Sequence, residues 1–241
     1  MLKIKLIQIG HNELISLENL VKNKNHSDVF KFDSSILKIE NPQFLNKTEL
    51  TILDNELATI QAQSDVDFSI GIIHRPLEQN YFSRPINSHF IVVSTFDFEN
   101  LELHEGISIE NYILRFTYAF SLIHAAYNGL IPAATEIMQK NISGCLFDMA
   151  IYKKQIATFF NNPHISIAAK NTLNSKTLDS HIVNNVEKEI KRLKKSCYFR
   201  YSDWMKRNPI ISTIIIFIIA FILYELGGNF IYDLIMGKLC F

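Results

Sequence analysis

The chain has 241 residues, 48% of them apolar, with 24 basic and 24 acidic side chains in balance. The charge is unevenly spread: from Lys188 to Arg207 eight basic residues stand against two acidic ones, a local +6, which leaves residues 1–187 at −5. That acidic region lacks the clustered positive charge nucleic-acid binding needs, so nucleic acid is not an expected partner, and three scattered cysteines exclude a disulfide framework or a zinc ribbon.

Lys3–Ile9 reads as a first strand, its two lysines breaking the apolar run a signal peptide would need. After a polar stretch, Val29–Ile39 predicts a second strand bent at Ser34-Ser35. Asn46 with Glu49 has the spacing of a capping box and predicts a helix over Thr48–Gln61, with Leu50, Leu53, Leu57 and Ile60 on one face. Val66–Ile73 is a nearly continuous apolar run, the pattern of a strand covered on both faces, and His89–Phe96 is another. The segment between them, His74–Ser88, reads as a long loop. Ser108 caps a helix over Ile109–Tyr127 that is apolar nearly all round and so buried, with Asn128-Gly129 as its stop. The order β–β–α–β–β–α predicts an α/β (α+β) domain with a mixed sheet over residues 1–180, its part from Ile131 to Asp179 less regular. A helix from Ile182 to Lys206 follows, within a basic juxtamembrane segment 181–207.

Asn208–Tyr224, NPIISTIIIFIIAFILY, holds no charge. A membrane span takes about 20 apolar residues, so the run predicts a C-terminal transmembrane helix over 208–226 that borrows length back to Trp204. Tyr201 and Trp204 would sit in one interfacial belt and Tyr224 in the other. Pro209 falls at the helix start, where a missing N–H does little harm. Lys191, Arg192, Lys194, Lys195, Lys206 and Arg207 form a collar suited to anionic lipid headgroups. With the basic excess wholly N-terminal to the span, the expected protein is single-pass in the inner (plasma) membrane, its N-terminal domain cytoplasmic. Glu225 to Asn229 reads as a break, and 227–241 as an apolar tail, interfacial or membrane-embedded. Glu225 and Asp233 would meet headgroup water or, in a homo-oligomer, line a polar path.

Catalytic motifs are missing: no G-x-S-x-G, no P-loop, no G-x-G-x-x-G, and no intact H-E-x-x-H, since in a motif begun at His124 the glutamate and the last histidine would stand where Ala125 and Asn128 are. The candidates that remain are His74 and Arg75 at the end of a buried strand, His89, His124, and Asp148 as an acidic partner. The plain alternative makes the first three hydrogen-bonded loop residues and His124 a core histidine. No metal-ligand set and no cofactor is predicted.

The element order, with a buried helix and then Gly144-Cys145-Leu146-Phe147-Asp148-Met149, resembles the archaemetzincin-type zincin-like peptidases. Lys153-Lys154, Ile156, and Ile165-Ser166 before Leu173 continue the likeness, over about residues 65–175. The zinc ligands around His124 are absent, and Ala168-Ala169 falls where that family has a cysteine. The resemblance implies a zincin-like scaffold without its metal, with Cys145 and Asp148 holding a turn under the core; an unrelated α/β domain sharing one motif is the other reading. Two functions follow. One is a membrane-anchored, non-catalytic sensor or effector, with a lipid bilayer, a protein or small-ligand activator and a second copy as partners, of a plan that fits bacterial stress or phage defence. The other is a membrane-tethered hydrolase.

Overall fold

The computed structural model describes residues 1–239 apart from 25–26, 41, 47–48, 61–64, 134, 139–143, 150–152 and 177; of 24, 43, 46, 153–154 and 225–239 it describes the backbone alone. Two compact units result, Met1–Lys195 and Ser196–Phe241.

The first unit is a mixed α/β domain built on a six-stranded sheet. In chain order its elements are β1 (Leu2–Ile9), α1 (Leu17–Lys24), β2 (Phe30–Phe32), β3 (Leu37–Ile39), α2 (Asp54–Leu57), β4 (Phe68–Ile73), β5 (Ser83–Asn87), β6 (Phe90–Ser94), α3 (Phe98–Glu105), α4 (Ile109–Ala126), α5 (Lys153–Asn161), α6 (Ile167–Ser175) and α7 (Ser180–Ile190). The strand order is β2-β1-β4-β6-β5, with β3 also on β1. β1 pairs in parallel with β2, β3 and β4, and β4 with β6; only β5 runs antiparallel, at the edge.

Alternation along the strands splits the core in two. Ile4, Leu6, Phe68, Ile70, Ile72, Ile91 and Val93 turn to one face, where α4 lies; Ile7, Ile9, Ile73, Phe90 and Val92 turn to the other, with Ile52 and Leu57. Gly71 is needed at the second face: a Cβ there would stand 2.8 Å from Ile9 Cδ1 and 3.1 Å from the Phe90 ring. The bend expected at Ser34-Ser35 separates β2 from β3. Asp33 holds it by accepting from the Ser35 amide (2.9 Å) and hydroxyl (2.7 Å), and it pairs with the buried Lys5 ammonium at 3.2 Å. The Ser35 bonds, with Lys3 and Lys5, keep the Asp33 carboxyl well below the usual carboxylate range.

α4 matches its expectation closely. Ser108 Oγ accepts from the Asn111 amide, and Asn128 and Gly129 take left-handed conformations (φ 54° and 85°) just past the end. It is buried almost all round because the sheet, α5 and α7 surround it.

Several expectations change. The helix over Thr48–Gln61 reduces to α2, because Ile52 is drawn into a bridge with Leu77: its amide donates to Pro76 O (2.9 Å) and its carbonyl accepts from Glu78 (3.0 Å). Leu53, not Asn46, is the cap, and Leu50 and Leu53 are exposed. The loop His74–Ser88 contains β5, whose Pro85 is tolerated at an edge with a register shift beside it. α1 lies in the stretch read only as polar, and α3 falls where no element is expected. The helix expected from Ile182 to Lys206 is two helices. α7 belongs to the domain, since Val183, Val186 and Ile190 are buried and Glu189 accepts from Tyr118 Oη (2.7 Å) and the Asp28 amide (2.9 Å). The domain thus extends to Lys195 rather than stopping at 180.

The second unit comprises α8 (Cys197–Arg207) and α9 (Pro209–Leu239). They meet at Asn208 with a bend of 116° between Cys197–Arg207 and Pro209–Tyr224, so Trp204 does not continue the line of α9. The break expected at Gly227-Gly228 is absent from the backbone, which stays helical to Leu239. Among the residues with described side chains, which end at Tyr224, no single helix is long and apolar enough to cross a membrane; the bent pair passes only together, by length and composition.

Candidate functional site

The expected site residues fall in three separate places. At the carboxyl ends of β1, β4 and β6 lies a polar knot around Thr95. Asn12 Nδ2 donates to Thr95 Oγ1 (3.0 Å), His74 Nδ1 lies 3.2 Å from it, and the Thr95 hydroxyl donates to Ile73 O (3.3 Å). His74 Nε2 is 3.9 Å from Glu99 Oε1, and the Arg75 carbonyl accepts from Ser94 Oγ (2.6 Å). These bonds tie strand ends together.

His89 and His124 meet at the opposite end of the sheet, their rings 6.4 Å apart and the His124 ring 5.3 Å from Phe68. His89 Nδ1 lies 3.1 Å from Asp67 O. Buried His124 has no partner for Nδ1 among the described residues. Burial pushes its pKa down, with Asp67 opposing, so its neutral form fits the core. From the register of β4 on β6, His74 and His89 stand about 20 Å apart at about 3.3 Å per residue.

The third place is a 540 Å³ pocket between β5, α4 and the segment after it. Arg84, Arg115 and Asp148 border it, with Phe116, Phe120 and Met138 as apolar wall. Arg84 pairs with Asp54 and lies over the Tyr81 ring at 4.8 Å. Arg115 is 3% exposed; its Nη2 donates to the Asp148 carbonyl (2.9 Å), and Nε has no partner among the described residues. Burial pushes its pKa down to about 10, Asp148 opposing, so it stays cationic at neutral pH. The Asp148 carboxylate accepts from the Gly144 amide (3.1 Å), and Cys145 Sγ accepts from the amides of Ser166 (3.3 Å) and Phe147 (3.5 Å). Both residues therefore secure the 144–148 turn.

The expected pairing of a histidine with Asp148 is not assembled: Arg115, which holds Asp148, precedes His124 by nine helical residues, about 13 Å along α4. Among the described residues no three His, Cys, Asp or Glu side chains gather as a metal site. Nor do the residues here fit a zinc ion of the zincin type. Ala125 follows His124, and the helix ends at Ala126, which takes Asn128 off its face. The residue sequence reasoning passed over is Arg115, whose signal was a lone cation inside the apolar run of α4.

Of the lipid-facing set, Lys191, Arg192, Lys194, Lys206 and Arg207 are exposed, whereas Lys195 is 3% exposed and paired with Glu105, which removes it from the collar. Pro209 opens α9 as expected, and Tyr224 and Trp204 are exposed. The side chains of Glu225 and Asp233 lie outside the described residues.

No family model matches the chain, and no curated protein matches it. A solved structure of an archaemetzincin from Methanopyrus kandleri is similar to it, with a TM-score of 0.48 and 11% identity over 73% of this chain and 95% of that one. That protein is of the family which residues 65–175 weakly resemble. A likeness of that size carries no activity to this chain.

Proposed function

We propose that this chain is a membrane-anchored sensor or effector without catalytic chemistry, whose α/β unit takes a ligand in the β5–α4 pocket and whose α8–α9 unit works at a bilayer. The observation that carries the anchor is the apolar surface of α9: Ile210, Phe217, Phe221 and Leu223 are 64–75% exposed, and Ile211 to Ile222 add to them. An exposed patch of that size needs a cover. Polar groups in its first turn satisfy themselves, since Ser212 and Thr213 return their hydroxyls to Pro209 O at 2.9 and 2.8 Å.

The bend at Asn208 supports a division of labour. α8 carries Tyr198, Tyr201 and Trp204 with Arg200, Lys206 and Arg207, a composition suited to the plane of a membrane interface. Pro209–Tyr224 would enter the hydrocarbon, and the continued helix supplies the rest of the ~30 Å. By the positive-inside rule the basic residues before it favour a cytoplasmic α/β unit at the inner membrane. The setting in bacterial stress or phage defence comes from this plan alone. The pocket favours binding over hydrolysis, because its described lining offers a fixed cation and aromatic wall and no histidine or cysteine.

Expression with and without residues 209–241 tests the effector reading. Growth arrest or membrane permeabilisation is expected from the full chain only; equal effects from both would end it.

A further inference from the structure

Arg115 poses a question that the turn beneath it does not answer. A guanidinium carries five N–H donors. Among the described residues one bond is made, from Nη2 to the Asp148 carbonyl at 2.9 Å, and Nε is left without a partner. Its Cζ lies over the Phe116 ring at 5.0 Å and the Phe159 ring at 5.3 Å, and its N–H donors point outward in the plane of the group. A buried cation whose donors are unfilled is costly, and an anion taken in alongside it offsets that cost. Arg115 borders the 540 Å³ pocket, a volume within the range of small-molecule sites.

The neighbours narrow the anion. Asp148, itself 7% exposed, borders the same pocket, and a dianion would meet its charge. Arg84, the other lining cation, is already paired with Asp54, so no second free guanidinium is at hand for a phosphate. A carboxylate carries one charge and matches the planar fork of a guanidinium. The wall beyond is Phe116, Phe120, Ile123 and Met138.

We infer that the pocket takes an apolar monocarboxylate, its carboxylate on the unfilled donors of Arg115 and its hydrocarbon body against Phe116, Phe120 and Ile123. This rests on the reading of the pocket as the ligand seat. The test is calorimetric titration of the full chain in nanodiscs with octanoate, 1-octanol and octyl phosphate, against matched empty nanodiscs. One octanoate per chain is expected, with octanol and octyl phosphate each at least about tenfold weaker.

Two variants separate the layers of the claim. Arg115→Met removes the cation while keeping an apolar chain of similar length, and is expected to fold and to lose octanoate binding by at least about tenfold. Ala133→Trp, at an exposed lining position, fills the pocket without touching the charge and is expected to abolish binding of every probe. Binding blocked by Ala133→Trp but indifferent to Arg115→Met, or equal for octanoate and octanol, leaves the pocket as the seat and overturns the carboxylate. Binding indifferent to both variants overturns the seat as well. No octanoate binding by folded wild type overturns the inference outright.

Discussion

Ile113 and Ile214 are the same residue on two long helices, and the helices treat them oppositely. Ile113 on α4 is 0% exposed; Ile214 on α9 is 54% exposed. α4 is wrapped by the sheet, α5 and α7, so its sequence was apolar on every side and still needed no membrane. α9 has comparable apolar content and nothing of its own unit around it except α8. The two apolar helices thus differ in burial, and they differ also in polar punctuation. α4 buries Arg115, Thr117, Ser121 and His124 and the bonded hydroxyls of Tyr112 and Tyr118, polar groups that only a specific fold accommodates, whereas Ile214–Tyr224 carries only the hydroxyl of Tyr224.

The contrast is broken most sharply by one substitution made twice. Ile113→Ala should cost about 2–5 kcal/mol, the range for emptying a closed core, while Ile214→Ala should cost under about 0.5 kcal/mol in water-soluble unfolding assays of the domain signal. Chemical denaturation followed by near-UV circular dichroism reads both, and similar losses would mean that α9 is packed like α4. Gly71→Val comes next, at about 1–3 kcal/mol, because the new side chain meets Ile9 and Phe90 at once. Glu189→Ala should cost a similar amount, about 1–3 kcal/mol, since it strands the Tyr118 hydroxyl and the Asp28 amide and so loosens α7 from the domain; hydrogen exchange at 180–190 would rise. If it left exchange unchanged, the Glu189 bonds would not be what holds α7 to the domain.

The smallest effect is a pH dependence. His124 has a folded pKa below its unfolded value of about 6.5, so its neutral form is favoured in the fold. Its contribution is fully present above about pH 6.5 and is lost as pH falls below it, at up to about 1.4 kcal/mol per pH unit. Midpoints of denaturation from pH 7.5 to 5 should fall in the wild type and fall less in His124→Leu.

Legibility followed local signals. β1, β4, β6 and α4 were readable because their patterns are long and their limits carry turn or cap residues, as at Ser108 and Gly129. β5 was not, because Pro85 and Asn87 argue against a strand and only pairing with β6 overrides them. Helix 48–61 was over-read: a good capping pattern lost to the bridge between Ile52 and Leu77, a contact 25 residues away that no local pattern contains. Of the site, the sequence pointed to Asp148 and to four residues that lie elsewhere, and passed over Arg115. A buried arginine is informative only once the pocket beside it is known.

The central claim is that α9 is covered by lipid. Alkaline carbonate extraction of membranes, comparing the full chain with one ended at Asn208, tests it most directly. The full chain should stay in the pellet and the shortened one should move to the supernatant with its near-UV dichroism intact. A full chain released by carbonate, or a shortened chain that stays behind, would contradict the account.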